Sequence, residues 1–116
     1  MSVIFPTGEM LKVLTSKLHE HTIKGGSFYE FWCPGCKTSH LYPVKREADW
    51  CLGSNPSWFF DGSMEKPTFT PSLKEWDDKG IVCHINLTSG IICFDGDCRH
   101  ELRGKSVPMV DLPYDN

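Results

Sequence analysis

The tetrapeptide Cys33-Pro34-Gly35-Cys36 is the sharpest chemical signal in the chain. Two residues between the cysteines let both sulfurs face one ion, and Pro34 and Gly35 supply the tight turn beneath them. Thiolate and imidazole are the donors that Zn2+ prefers, so the rest of a site must come from the remaining cysteines and histidines. Two short groups qualify, Cys83-His84 and Cys98-Arg99-His100. Successive strand residues face opposite sides of a sheet, so Cys83 and His84 are not expected to hold one ion together. Cys98 and His100 are two apart and follow Gly96, where backbone freedom lets ligands converge. The simplest metal set is therefore Cys33, Cys36, Cys83 and Cys98, with His84, His100 and His40 as secondary candidates. His40 stands four residues after Cys36, close enough to approach the same ion or to orient one of its ligands. Cys51 and Cys93 have no spaced partner and read as core residues, while His19 and His21 read as solvated.

Six cysteines in a short chain also fit a disulfide framework, and a Cys-x-x-Cys also fits a redox centre. The N-terminus lacks the basic-then-apolar layout of an export signal, which implies reduced thiols and a cytoplasmic location. A redox motif needs a helix that starts at the cysteines, and Lys37 to His40 runs instead toward a β pattern. Both arguments favour metal.

A knuckle of this kind needs a hairpin to carry it. Phe28 to Trp32 is dominated by aromatic residues and reads as a strand leading into Cys33, with His40 to Val44 as the returning strand. Trp58 to Phe60 ends at the Asp61-Gly62 turn, and Pro67 to Ser72 reads as extended edge structure bracketed by prolines. Ile81 to Leu87 and Ile91 to Phe94 form the clearest hairpin, joined through Thr88-Ser89-Gly90. Asp95-Gly96-Asp97 turns the chain before Cys98, and Val107 to Val110 adds a short strand. Ahead of all these, Met10, Leu11, Val13, Leu14 and Leu18 recur near the helical period and Gly25-Gly26 follows as a stop, which predicts a helix from about Gly8 to His19. The expected fold is α+β, mostly β: small antiparallel β-hairpins pinned by a zinc knuckle, with one short N-terminal helix. Residues 1–25 would form the helical segment and 26–116 the β-rich zinc-binding core of a single domain.

Composition narrows the partners. The formal net charge is -3, and no run of basic residues exceeds Lys45-Arg46. Nucleic-acid binders draw affinity from Lys and Arg on phosphates, so nucleic acid is an unfavoured partner. The apolar stretches run four or five residues, far below the roughly 20 that cross a bilayer, so no membrane association is expected. A domain of 116 residues buries only about two-thirds of its unfolded surface, which gives a bound metal something to add.

The ordered pattern C-P-G-C at Cys33 to Cys36 with His40, W-F-F-D-G at Trp58 to Gly62, P-T-F-T-P-S at Pro67 to Ser72, C-H at Cys83-His84 and G-D-C-R-H at Gly96 to His100 resembles one family. These are small phage and prophage proteins of uncharacterised function, often mislabelled "ammonia monooxygenase". The likeness spans roughly residues 28 to 113, including V-P-x-x-D-L-P at Val107 to Pro113, and leaves out the N-terminal segment. It implies metal-type residues at Cys33, Cys36, His40, Cys83, His84, Cys98 and His100, and a setting in the host cytoplasm.

Three functions compete. In the favoured one the zinc is closed and structural, there is no catalytic residue, and the protein is a phage or prophage accessory factor that binds a host protein, inhibiting a defence system or modulating an enzyme. In the second, His40, His84 and His100 surround a zinc with an open position and Asp97 or Glu101 is the general base of a hydrolase. Neither an H-E-x-x-H helix nor a deaminase signature supports it. In the third, the aromatic clusters Phe28 to Trp32 and Trp58 to Phe60 stack single-stranded nucleic acid, although the positive groove that such sites need is missing.

Overall fold

In a computed structural model that describes residues 2–4, 10–23, 25–45 and 57–113, the chain forms two antiparallel sheets of five strands each. The first sheet runs β1 (Ser2–Ile4), β2 (Met10–Thr15), β3 (Leu18–Ile23), β4 (Gly26–Cys33) and β5 (Thr38–Lys45). The second runs β6 (Phe59–Phe60), β7 (Phe69–Asp77), β8 (Gly80–Thr88), β9 (Ile91–Phe94) and β10 (Ser106–Pro108). Both are meanders in which each strand pairs with its neighbour in sequence.

The described residues contain no helix, so the fold is all-β and the expected helix from Gly8 to His19 is replaced by the β2–β3 hairpin. Residues 5–9, where that helix would begin, lie outside the described residues. The hairpin register shifts between Val13 and Thr15, which puts the apolar residues of β2 out of step with a strict alternation and makes their spacing imitate a helix. Val13, Thr15, Thr22 and Ile23 are β-branched and suit the pleated surface that wins. The strands expected around the knuckle, at Trp58–Phe60 and from Ile81 to Phe94 are all present.

Alternation explains the core. Along β4, Tyr29, Phe31 and Cys33 point one way, and along β8 so do Cys83, Ile85 and Leu87; all are buried. The two sheets meet through these rows. Tyr42 of β5 stacks on Phe69 of β7 with ring centroids 4.3 Å apart, and Tyr29 of β4 lies 4.6 Å from Phe60 of β6. Phe31, Tyr42 and Phe69 are fully buried, and the two phenylalanines are each worth about 1.5–3 kcal/mol of transfer free energy.

One irregularity positions a side chain that matters below. Phe69 pairs with Leu87 and Leu73 with Ile85, so four steps along β7 are matched by two along β8. The surplus falls at Thr70, Pro71 and Ser72, where Pro71 has no N–H to give to a ladder. A bulge of this kind re-aims the side chain beside it. Past Ser72 the alternation resumes, with Leu73 buried and Lys74 exposed.

Candidate active site and metal centre

The pleat of β8 sends Cys83 and His84 to opposite faces of the second sheet, and each face gathers its own cluster. On the inner side, donor atoms of Cys33, Cys36, Cys83 and His100 all lie within 4.8 Å of one another. Cys33 Sγ is 3.9 Å from Cys83 Sγ, and His100 Nε2 is 3.5 Å from Cys83 Sγ. A tetrahedral zinc with bonds of about 2.3 Å to sulfur sets its sulfurs about 3.8 Å apart, so the spacing fits a metal. The knuckle turn is tied by Lys37 N–H donating to Cys33 O (2.8 Å) and Cys36 N–H to Cys33 Sγ (3.3 Å). Gly35 is required there because a Cβ on it would overlap the His100 ring.

The charges fit as well. Cys83 donating to Cys33 holds the Cys33 thiol far below the usual thiol range, at about 3, and His40 assists. Burial and the neighbouring Cys33 charge push Cys36 up to about 12, and Cys83 is pushed up by its bond to Cys33 and by burial. Packed this closely, the three thiols oppose one another's ionisation, whereas a divalent cation would let all three ionise. His100 Nδ1 accepts the Leu102 N–H at 3.2 Å, so coordination through Nε2 would place the ring proton on Nδ1 and give up that contact.

Of the residues expected to bind metal, Cys33, Cys36, Cys83 and His100 are brought together, and Cys98, His40 and His84 stand outside the group. Cys98 lies against β8 instead, its Sγ 3.2 Å from His84 N. His40 is buried beside Cys33, edge-on to Phe31 and 3.5 Å from Glu75. Glu101 lines a cavity of about 480 Å3 beside the knuckle, with Lys37, Arg99 and Arg103. Cys93 is half-buried on β9 and joins neither cluster. Cys51 lies outside the described residues.

On the outer face, Ser72 Oγ–H donates to His84 Nε2 at 2.9 Å. The other ring nitrogen, Nδ1, is 3.2 Å from both carboxylate oxygens of Asp97, in hydrogen-bonding geometry, and 2.9 Å from Asp95 Oδ2. The bulge delivers Ser72, the strand delivers His84, and the Asp95-Gly96-Asp97 turn delivers the carboxylates. A hydroxyl, an imidazole and a carboxylate linked in that order are the parts of a nucleophilic acyl-transfer site. Trp58 Nε1–H fixes the Ser72 carbonyl at 3.2 Å. In the sequence Ser72 stands only as the last residue of the P-T-F-T-P-S motif, which lacks the G-x-S-x-G elbow and reads as extended chain.

Residues 9–94 match the model of a family described as the bacterial ubiquitination-like system serine protease, BubE. The chain belongs to the BubE family. Neither the curated proteins nor the solved structures contain a match. The description that the match carries differs from the phage and prophage family expected from the motif pattern. The BubE match spans Cys33, Cys36, Ser72, Cys83 and His84 and stops one residue before Asp95, so Asp95, Asp97 and His100 enter the site on geometry alone. No helix among the described residues is long and apolar enough to cross a membrane.

Proposed function

We propose that the protein is a serine protease of a bacterial ubiquitination-like system, with Ser72 as nucleophile, His84 as general base and acid, and Asp97 and Asp95 as the carboxylates that orient His84. The observation that carries this reading is the unbroken chain Ser72 Oγ, His84 Nε2, His84 Nδ1 and carboxylate, with links of 2.9 Å and 2.9 to 3.2 Å. Membership of the BubE family, described as a serine protease, supports it independently. With Nδ1–H held by carboxylate, Nε2 is free to take the Ser72 proton. Ser72 Oγ then attacks a peptide carbonyl, and His84 returns the proton to the leaving amine as the C–N bond breaks. Water, deprotonated in turn by His84, hydrolyses the acyl-enzyme and restores Ser72. The carboxylates steady the imidazolium that forms between the two transfers.

The inner cluster takes the structural part. Cys33, Cys36, Cys83 and His100 supply the sulfur-rich, four-donor set of a closed zinc site, which joins β4 and β5 to β8 and leaves no position for substrate. A protein partner then enters as substrate rather than as the host target of an accessory factor. The zinc-hydrolase alternative requires His40, His84 and His100 around one ion, and the described residues divide them among separate surroundings.

Incubation with a fluorophosphonate followed by peptide mapping tests the reading. Ser72 bonds to phosphorus, fluoride leaves, and one adduct per chain is expected on Ser72. Labelling elsewhere, or none, overturns it.

A further inference from the structure

We propose that Cys98 is a positioning residue for His84: its thiol clamps the backbone of the residue that takes the proton from Ser72. The inference rests on the serine-protease reading and concerns a cysteine whose sequence context marks it as a metal ligand.

His84 sits where the sheet runs out. Strand β9 ends at Phe94, which pairs with Ile85, so the preceding residue of β8, His84, has no strand partner on that side. Its N–H and C=O are strong polar groups that need partners wherever the chain covers them. The turn after β9 provides them. Asp95 N–H donates to His84 O at 2.9 Å, and the Cys98 thiol does two things at once. Its sulfur accepts the His84 N–H at 3.2 Å, and its S–H donates to His84 O at 3.3 Å. A thiol has this dual capacity and is compact enough to be buried, and Cys98 is 4% exposed.

The clamp acts on geometry that catalysis needs. Cys98 N–H closes the turn on Asp95 O at 3.2 Å, and Arg99 N–H bonds Val82 O at 3.0 Å, so the turn bearing Asp95 and Asp97 is fastened to β8 on both sides of His84. The turn that carries the two carboxylates is thereby tied to the strand that carries the imidazole. The Cys98 sulfur also lies outside the inner group of Cys33, Cys36, Cys83 and His100.

The test compares Cys98→Val, which fills the space without either hydrogen bond, with Cys98→Ser, which keeps a donor and an acceptor. Zinc content, melting temperature, His84 amide exchange and fluorophosphonate labelling kinetics are measured on the full chain, with Ser72→Ala as the unlabelled control. Cys98→Val should keep one zinc and its fold, lose His84 amide protection, and label about tenfold to a hundredfold more slowly at saturation with an unchanged half-saturating concentration. Cys98→Ser should label within about threefold of wild type. Loss of zinc from Cys98→Val, labelling at the wild-type rate, or loss of labelling only in step with unfolding each overturns the proposal. If wild type is not labelled while Cys98→Val still loses His84 amide protection, the protease reading fails and the clamp stands.

Discussion

Cys83 and His84 are adjacent in sequence and belong to different chemistries. Cys83 faces the core, 1% exposed, and joins Cys33, Cys36 and His100. The side chain of His84 faces outward, 16% exposed, between a hydroxyl and two carboxylates that are more than 40% exposed. A Cys-His dipeptide read along the chain looks like a pair of metal ligands, and the strand pleat turns its two side chains into separate clusters.

The comparison breaks most sharply at Ser72. Ser72→Ala should lower peptide hydrolysis by roughly 10⁶-fold while zinc content and melting temperature stay at wild-type values, because the loss is confined to the outer face. A variant that sheds metal would show the two faces to be one site. Asp95→Asn with Asp97→Asn together should cost about 10⁴-fold in kcat, the loss expected when His84 can no longer be held in the right tautomer. Each single variant leaves one carboxylate on Nδ1 and should lose less. Equal losses in one single variant and in the pair would assign the role to that aspartate alone.

On the inner face, Gly35→Ala drives a methyl group into the His100 ring and should weaken zinc binding by about 10- to 100-fold, read by competition with a chelator. Labelling of Ser72 in the zinc-loaded variant should persist. Zinc binding at pH 7 should release about two protons, since Cys36 and Cys83 are held protonated and Cys33 is already a thiolate. Calorimetry in buffers of different ionisation enthalpy counts them, and three or more would mean that Cys33 is a thiol in the free protein. The smallest effect lies at the tip of the β7–β8 hairpin. The Arg99 guanidinium, with both nitrogens 2.6 Å from the Asp77 carboxylate, lowers the Asp77 pKa from 3.8 to about 2. A lowered folded-state pKa adds stability above the unfolded value and loses it as pH falls toward the folded one. Asp77→Asn should therefore be slightly less stable than wild type at pH 5, and the two should converge by about pH 2.

Much of the fold was legible because its signals are local. The Phe28 to Trp32 and Ile81 to Phe94 strands carry aromatic or β-branched runs that end in turn residues, and they form where expected. The N-terminal hairpin was not legible, because the register shift between Val13 and Thr15 displaces its apolar residues toward a helical spacing. The inner cluster was visible through its spacing at Cys33 and Cys36, but that spacing did not show that His100 rather than Cys98 lies with it, because the turn after Gly96 sets the Cys98 sulfur against the backbone of β8. Ser72 stood in the sequence only as the end of P-T-F-T-P-S, and its place beside His84 depends on the register of β7 against β8, which no short motif encodes.

The measurement that bears most directly on this account is a crystal structure of the fluorophosphonate-treated protein, with data collected at the zinc edge. The account predicts an adduct on Ser72 Oγ beside His84, and one anomalous peak among Cys33, Cys36, Cys83 and His100. A peak lodged between His84, Asp95 and Asp97, with Ser72 unmodified, would contradict it and make the outer face the metal site.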